Sequence, residues 1–195
     1  METWSGDFEE VNLIYPITSP IKMNYILETE RLTLRELTLE DRTFIVELVN
    51  SPGWIKYIGD RNIKTDEQAK SYLENGPIKS YKENGFGLWL VETKDTKKSI
   101  GMCGLLKRDY LDHPDIGFAF LPGFIGMGFG FEAANATMSF ASDQLKLSSI
   151  SAITLPANNA SIRLLEKIGM NFMKSLSPPG NHEELHLYQV TFFEK

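Results

Sequence analysis

The sequence predicts an α/β (α+β) fold, a sheet flanked by helices, and three observations carry that expectation. Residues 115–142 read DIGFAFLPGFIGMGFGFEAANATMSFAS: an apolar run ends in a proline, three alternating glycines follow, and an amphipathic helix begins. That order is strand, turn, helix. Upstream, 86–93 and 99–108 are β-rich runs joined by the polar turn Lys94-Asp95-Thr96-Lys97, the pattern of an antiparallel hairpin. Downstream, the β-rich run 149–155 is closed by Pro156 and followed by an amphipathic helix over 158–168, with Gly169 placed as its stop.

The remaining elements follow in chain order. Residues 1–24 lack sustained periodicity and carry Pro16 and Pro20, so they read as an arm outside a single domain spanning 25–195. Glu30-Arg31-Leu32-Thr33-Leu34-Arg35 alternates polar and apolar residues, which predicts a half-buried strand. Residues 39–50 follow a helical period, with Phe44, Ile45, Leu48 and Val49 on one side. Thr65 reads as the N-cap of a helix over 66–75, whose Asp66 and Glu67 suit the positive end of its dipole. Gly76-Pro77 breaks that helix, and a second short one is expected over 78–84. Phe118, Ala119, Phe120 and Leu121 form an uninterrupted apolar run, as in a strand buried on both faces. The helix after the glycines is expected over 131–147, and two last strands over 172–176 and 185–193. Cys103 reads as a buried small hydrophobe rather than a nucleophile.

Composition excludes several function classes. A chain of 195 residues that is 42% hydrophobic can bury a substantial core. A net charge of -6 argues against non-specific nucleic-acid binding and suits a cationic, amine-bearing partner, met by a monomer or homodimer. The one cysteine forms no internal disulfide, and no apolar run approaches the ~18 residues of a membrane span. With Glu2, Asp7, Glu9 and Glu10 where a secretory leader is basic, a cytoplasmic location without membrane partners is expected. His182-Glu183-Glu184-Leu185-His186 matches the H-E-x-x-H zinc pattern. The alternating Leu185, Leu187 and Val190 favour a strand, which would separate the imidazoles by roughly 13 Å. One zinc ion needs ligand nitrogens ~2.1 Å from itself, so no metal is expected.

Three readings compete for Gly126, Gly128 and Gly130. A dinucleotide fingerprint needs G-x-G-x-x-G, and these are spaced G-x-G-x-G. They could instead only let a helix pack closely on a strand. Or successive N–H groups, freed from Cβ atoms and aligned with the following helix dipole, could cradle a phosphate. The match extends past the glycines: P-x-F-x-G-x-G-F-G-x-E-A, from Pro122 to Ala133, resembles the pyrophosphate loop of the GNAT superfamily of acetyltransferases. Glu28, Thr29, Arg31, Leu32, Leu34 and Arg35 resemble the E-T-x-R-L-x-L-R opening of its RimJ/RimL branch. Asn158, Ser161, Leu164, Leu165, Glu166, Lys167, Gly169 and Met170 resemble its second signature, N-x-x-S-x-x-L-L-E-K-x-G-[FM].

The resemblance implies a mixed, mostly antiparallel sheet of six or seven strands with about four helices, and a splay between two central strands. It implies acetyl-CoA as cofactor and acetyl transfer to a primary amine, a protein N-terminus or a small molecule, by direct attack in a ternary complex. A non-catalytic acyl-CoA-binding module is the alternative. Main-chain groups of Ile125, Gly126, Met127, Gly128, Phe129 and Gly130 would hold the pyrophosphate, and the strand at Phe118, Ala119, Phe120 and Leu121 the pantetheine arm. The family often has basic or amide side chains where Ile125 and Met127 stand, so weaker CoA affinity is expected, with Arg163 or Lys167 contributing instead. Ser161 would protonate the leaving thiolate, or merely bond backbone at its helix start. Asn158 would cap that helix, contact pantetheine, or both. Asp115 would act as base through water, ahead of Asp109, Asp112 and His113, or simply pair in a turn. Residues 54–61 would help wall the acceptor site.

Overall fold

The chain enters the fold through two short strands, β1 (Tyr25–Glu28) and β2 (Leu32–Glu36), in a computed structural model that describes residues 25–180 and 183–192. The expected arm over 1–24 lies outside the described residues. A 3-10 turn follows at Leu39–Asp41, capped by Thr38, and then α1 (Arg42–Val49), α2 (Pro52–Tyr57), α3 (Asp66–Asn75) and α4 (Pro77–Asn84). Thr65 caps α3 as expected, its hydroxyl accepting from the Gln68 amide while Gln68 reaches back to the cap. The hairpin is β3 (Leu88–Thr93) and β4 (Ser99–Leu106). After it come β5 (Asp115–Phe120), α5 (Phe129–Asp143), β6 (Ser149–Thr154), α6 (Asn159–Lys167), β7 (Asn171–Leu176) and β8 (Leu185–Thr191).

Among the described residues, eight strands form one sheet in the order β1-β2-β3-β4-β5-β6-β8-β7, and every pairing is antiparallel except β5 with β6. The described sheet is thus larger than the six or seven strands expected, and six α-helices are described where about four were expected. Against the elements read in chain order, β1 and α2 are the additions, and both are short. The alternating run at 30–35 starts its strand later than expected, because Thr29 closes a turn there. Its amide donates to the Leu32 carbonyl (2.9 Å) and its hydroxyl accepts from the Leu32 amide (3.0 Å). Nor is β2 half-buried: Leu32, Thr33, Leu34 and Arg35 are all buried, Leu32 and Leu34 in the cluster that α5 covers and Arg35 between Asp41 and Glu92.

Two apolar clusters sandwich the sheet. On one face, Ala133, Ala134, Met138 and Ala141 of α5 and Leu165 of α6 pack with Leu32, Leu34, Trp89, Ile116 and Ile150. On the other, Ile45, Leu48 and Val49 of α1, Trp54 of α2 and Ala69 and Leu73 of α3 pack with Leu90, Met102 and Leu121. Cys103 is fully buried, and burial pushes its thiol up to about 12, as suits a core residue rather than a nucleophile. His186 lies on β8, in the strand expected for the second half of the zinc-like motif, with its ring centroid 4.9 Å from that of Phe172 in an edge-on arrangement. His182 lies outside the described residues.

Candidate active site: a strand wedge and a glycine turn

β5 and β6 touch through one residue pair, Asp115 with Ser151, and then part. Which amides face the gap follows from the hydrogen bonds at its two ends. The Leu121 amide donates to Ile100 on β4 (2.9 Å), and in an antiparallel ladder such pairs alternate, so Asp115, Gly117 and Ala119 also bond toward β4. The Ser151 amide of β6 donates to the Pro114 carbonyl (2.9 Å), so even-numbered residues turn their polar groups toward β6. Beyond the single bridge, the Phe118 and Phe120 main-chain groups therefore face an opening with no ladder partner. Of Phe118 and Ala119, both expected along the pantetheine arm, only Phe118 turns its amide to the gap. The gap also corrects the reading of this run as doubly buried. Phe118, Ala119 and Phe120 are only half-buried, because the strand borders a gap instead of a neighbour.

At the wide end of the wedge the chain crosses a 3-10 turn at Pro122–Phe124 and reaches the glycines. Gly126 and Gly128 have φ of +83° and +85°, conformations an L side chain rarely adopts. A Cβ on Gly126 would meet nothing within 4 Å, so the corner is open rather than plugged. Ile125 and Met127 point outward, 59% and 54% exposed. Gly128 is the N-cap of α5 and offers no side chain to the helix's first amides, which leaves those amides and the positive dipole end for an anion. The local chemistry fits a diphosphate. Gly130 sits deeper, where an added Cβ would lie 3.4 Å from Leu164 and 3.6 Å from Phe120.

α6 closes one side. The Asn158 side chain accepts from the Ser161 amide (3.2 Å), so its capping role is observed. Ser161 is half-buried, and its hydroxyl makes no hydrogen bond among the described residues. It lies one turn from Leu164, on the helix side that meets Gly130 and Phe120. Arg163 is exposed, while the Lys167 ammonium stacks on the Phe131 ring of α5 at 4.2 Å. Asp115, at the closed apex, is 1% exposed, and both its oxygens accept from Arg108 Nε at 3.0 Å. Burial pushes its carboxyl above the usual range, with Arg108 opposing. Asp109 and Asp112 are exposed and His113 is half-buried. Trp54, in the region expected to wall the acceptor, is 5% exposed, and its indole N–H has no partner among the described residues.

Two functional candidates were missed in the sequence although both stand in recognised motifs. Arg31 and Glu132 meet behind the glycine turn: Arg31 Nε donates to Glu132 Oε2 (2.7 Å), and the Arg31 amide and Thr29 hydroxyl donate to Oε1 (2.8 and 2.6 Å). Nothing local in the sequence announces a contact between residues so far apart.

A mixed sheet that splits beside an uncapped glycine turn is an architecture found in acyltransferases, and the family match places the chain in that class. The chain belongs to the GNAT acetyltransferase family: the family described as Acetyltransferase (GNAT) domain matches residues 31–171. Among relatives, the Bacillus subtilis (strain 168) protein named uncharacterized N-acetyltransferase YoaA is 33% identical over 146 residues, covering 74% of this chain and 81% of that one. YkkB of the same organism is 31% identical over 155 residues, covering 77% and 87%. An acetyltransferase structure from Agrobacterium tumefaciens str. C58 superposes with a TM-score of 0.71 at 25% identity, over 85% of this chain and 94% of that one. The structure titled RimL, a ribosomal L7/L12 alpha-N-protein acetyltransferase in complex with coenzyme A, has a TM-score of 0.74 at 13% identity, over 86% and 98%, a likeness of fold alone. No helix among the described residues is long and apolar enough to cross a membrane.

Proposed function

We propose that the protein is an acetyl-CoA-dependent N-acetyltransferase of RimJ/RimL type, acting on a primary amine at a protein N-terminus or on a small molecule, by direct attack in a ternary complex. One observation carries the reading: unpaired main-chain groups of Phe118 and Phe120 line a wedge that leads to an open, uncapped glycine turn. When bound, acetyl-CoA supplies the thioester. Gly126, Gly128, Gly130 and the amides beside them at Ile125, Met127 and Phe129 bind its pyrophosphate, with Lys167 near the first turn of α5. Residues Phe118 to Leu121 align the pantetheine arm as an added strand would. The Phe118 N–H, which faces the wedge, would donate to a thioester carbonyl held there, and a preorganised donor of this kind lowers a barrier without reorganisation.

The unengaged hydroxyl of Ser161 supports its assignment as proton donor to the leaving sulfur. Ser161→Ala is expected to lower turnover by ~10²-fold or more while leaving CoA affinity within about twofold; unchanged turnover removes Ser161 from the chemistry. For Asp115, the contact with Arg108 supports the pairing role over the base role, because a carboxyl group so enclosed reaches an amine only through a chain of water. An α-amine with pKa near 8 needs little help at neutral pH.

The test is CoA release with a panel of primary amines and N-terminal peptides, after EDTA treatment. Turnover supports the transferase. CoA binding without turnover on any amine would identify a non-catalytic module, and metal-dependent hydrolysis would revive the zinc motif.

A further inference from the structure

The loop lacks the basic side chains that a diphosphate would favour, since Ile125 and Met127 are apolar and face solvent. A cation nevertheless stands against it, from a different part of the chain. Arg31 Nη1 donates to the Met127 carbonyl at 3.1 Å. Its guanidinium lies 4.4 Å over the Phe129 ring, and its Nε is held by Glu132. An added Cβ on Gly128 would come within 3.2 Å of its Nη2. The group is thus clamped by a carboxylate and an aromatic face, and points at one peptide unit.

That peptide unit joins Met127 to Gly128. In a trans peptide the carbonyl and the N–H are fixed in one plane and point opposite ways. A hydrogen bond that draws the Met127 carbonyl toward Arg31 therefore turns the Gly128 N–H away from Arg31, to the far side of the turn. The Gly128 carbonyl is independently committed to the Glu132 amide (3.1 Å). Gly128 has no Cβ to restrain rotation on its side of that peptide, so Met127 alone limits it locally. The arginine adds the second restraint.

We propose that Arg31 is a positioning residue for the anion-binding turn: it holds the Met127–Gly128 peptide from behind so that the Gly128 N–H is presented to the phosphates. It also supplies the positive charge that Ile125 and Met127 do not. The ligand chemistry is the diphosphate of a CoA-type cofactor, so the inference rests on the function proposed above. Glu132 and Thr29 position Arg31 in turn. A merely structural role would instead make Arg31 a partner for Glu132 at the start of α5, with no preference among ligands.

NMR titration of the full chain, which reads constants up to millimolar, separates the two. The probes are CoA and pantetheine, which share the arm and differ in the phosphates, and the proteins are wild type, Arg31→Ala and Arg31→Lys. Arg31→Ala is expected to weaken CoA by ~10- to 100-fold, the range of one charge-assisted hydrogen bond, while pantetheine changes less than about twofold. The Gly128 amide resonance should move in the free protein. Arg31→Lys keeps the charge but not the fork that spans Glu132 and Met127 at once, so it should recover only part of the loss. CoA binding by Arg31→Ala equal to wild type would overturn the inference alone. Equal losses for both probes would also overturn it, as would a Gly128 resonance that stays in place while CoA weakens. A wild-type chain that binds neither probe would overturn the reading of the turn, and this inference with it.

Discussion

Arg31 and Arg35 come from one short segment and from the same alternating pattern, yet the fold puts them to opposite uses. Arg35 is 4% exposed. Its Nη1 and Nη2 grip Asp41 at 2.9 Å each, its Nε and Nη2 share Glu92 Oε1 at 3.1 and 3.0 Å, and Nη1 also donates to the Glu36 carbonyl. Burial works against that charge, but the two carboxylates outweigh it and raise the guanidinium further. Arg31 has a 45% exposed side chain, one carboxylate partner and one backbone carbonyl. The first arginine joins β2, the 3-10 turn and β3. The second leans on a turn that has to stay open. What an ion pair does is decided by how much water its partners have lost, and the residue type alone does not reveal it.

The largest effect expected is on Arg35. Arg35→Ala leaves Asp41 and Glu92 buried without their cation, and breaking a buried pair this way costs about 3–5 kcal/mol. In a chain of this size that lowers the melting temperature by roughly 6–20 °C. Arg31→Ala, read in the same calorimetry, should cost less than about 1 kcal/mol, because a half-exposed pair is screened and costs side-chain entropy to form. Equal shifts for the two would erase the contrast.

Next comes Gly128→Asp, which attacks the Arg31 side alone. The new carboxylate would lie beside Arg31 Nη2, draw the guanidinium from the Met127 carbonyl that Nη1 holds, and stand where phosphates are expected, on a backbone with φ of +85°. CoA affinity should fall more than ~100-fold, as like-charge repulsion and lost donors combine. Calorimetric binding that survives this change would count heavily against the turn as a phosphate site.

Much of the architecture was legible because its signals are local. Periodicity and Gly/Pro punctuation mark β6 and α6 within a residue and the start of α5 within two, though α5 ends at Asp143, four residues before the expected 147, and Thr65 announces α3 through its own cap. The missed elements, β1 and α2, are short segments held mainly by what packs on them. The burial of Arg35 was illegible for a similar reason, since Glu92 reaches it from another strand. The glycine turn and Ser161 could be found by motif. Which amides of β5 face the wedge could not, because that depends on which neighbour each residue bonds, and pairing is a property of the sheet. The Arg31–Glu132 contact joins two recognised motifs across 101 positions, and only the fold brings them together.

The smallest effect expected concerns Glu132, and its sign tests whether Arg31 is held as described. Burial would raise the Glu132 carboxyl, but the hydrogen bonds from Thr29 and Arg31 outweigh it and leave it below its ordinary value. A carboxyl depressed in the folded state stabilises above its unfolded pKa, roughly 4.3, and loses that contribution as pH falls through the folded value. Glu132→Gln keeps the shape and one acceptor oxygen but removes the charge. It should therefore cost about 1 kcal/mol or less at pH 7, and the difference from wild type should shrink below about pH 4. Asp115, whose carboxyl burial raises, works in the opposite direction and cannot produce that pattern. A Glu132→Gln penalty that persists unchanged at low pH would mean that packing, not charge, holds this corner, and would leave Arg31 without the anchor that keeps it on the Met127 carbonyl.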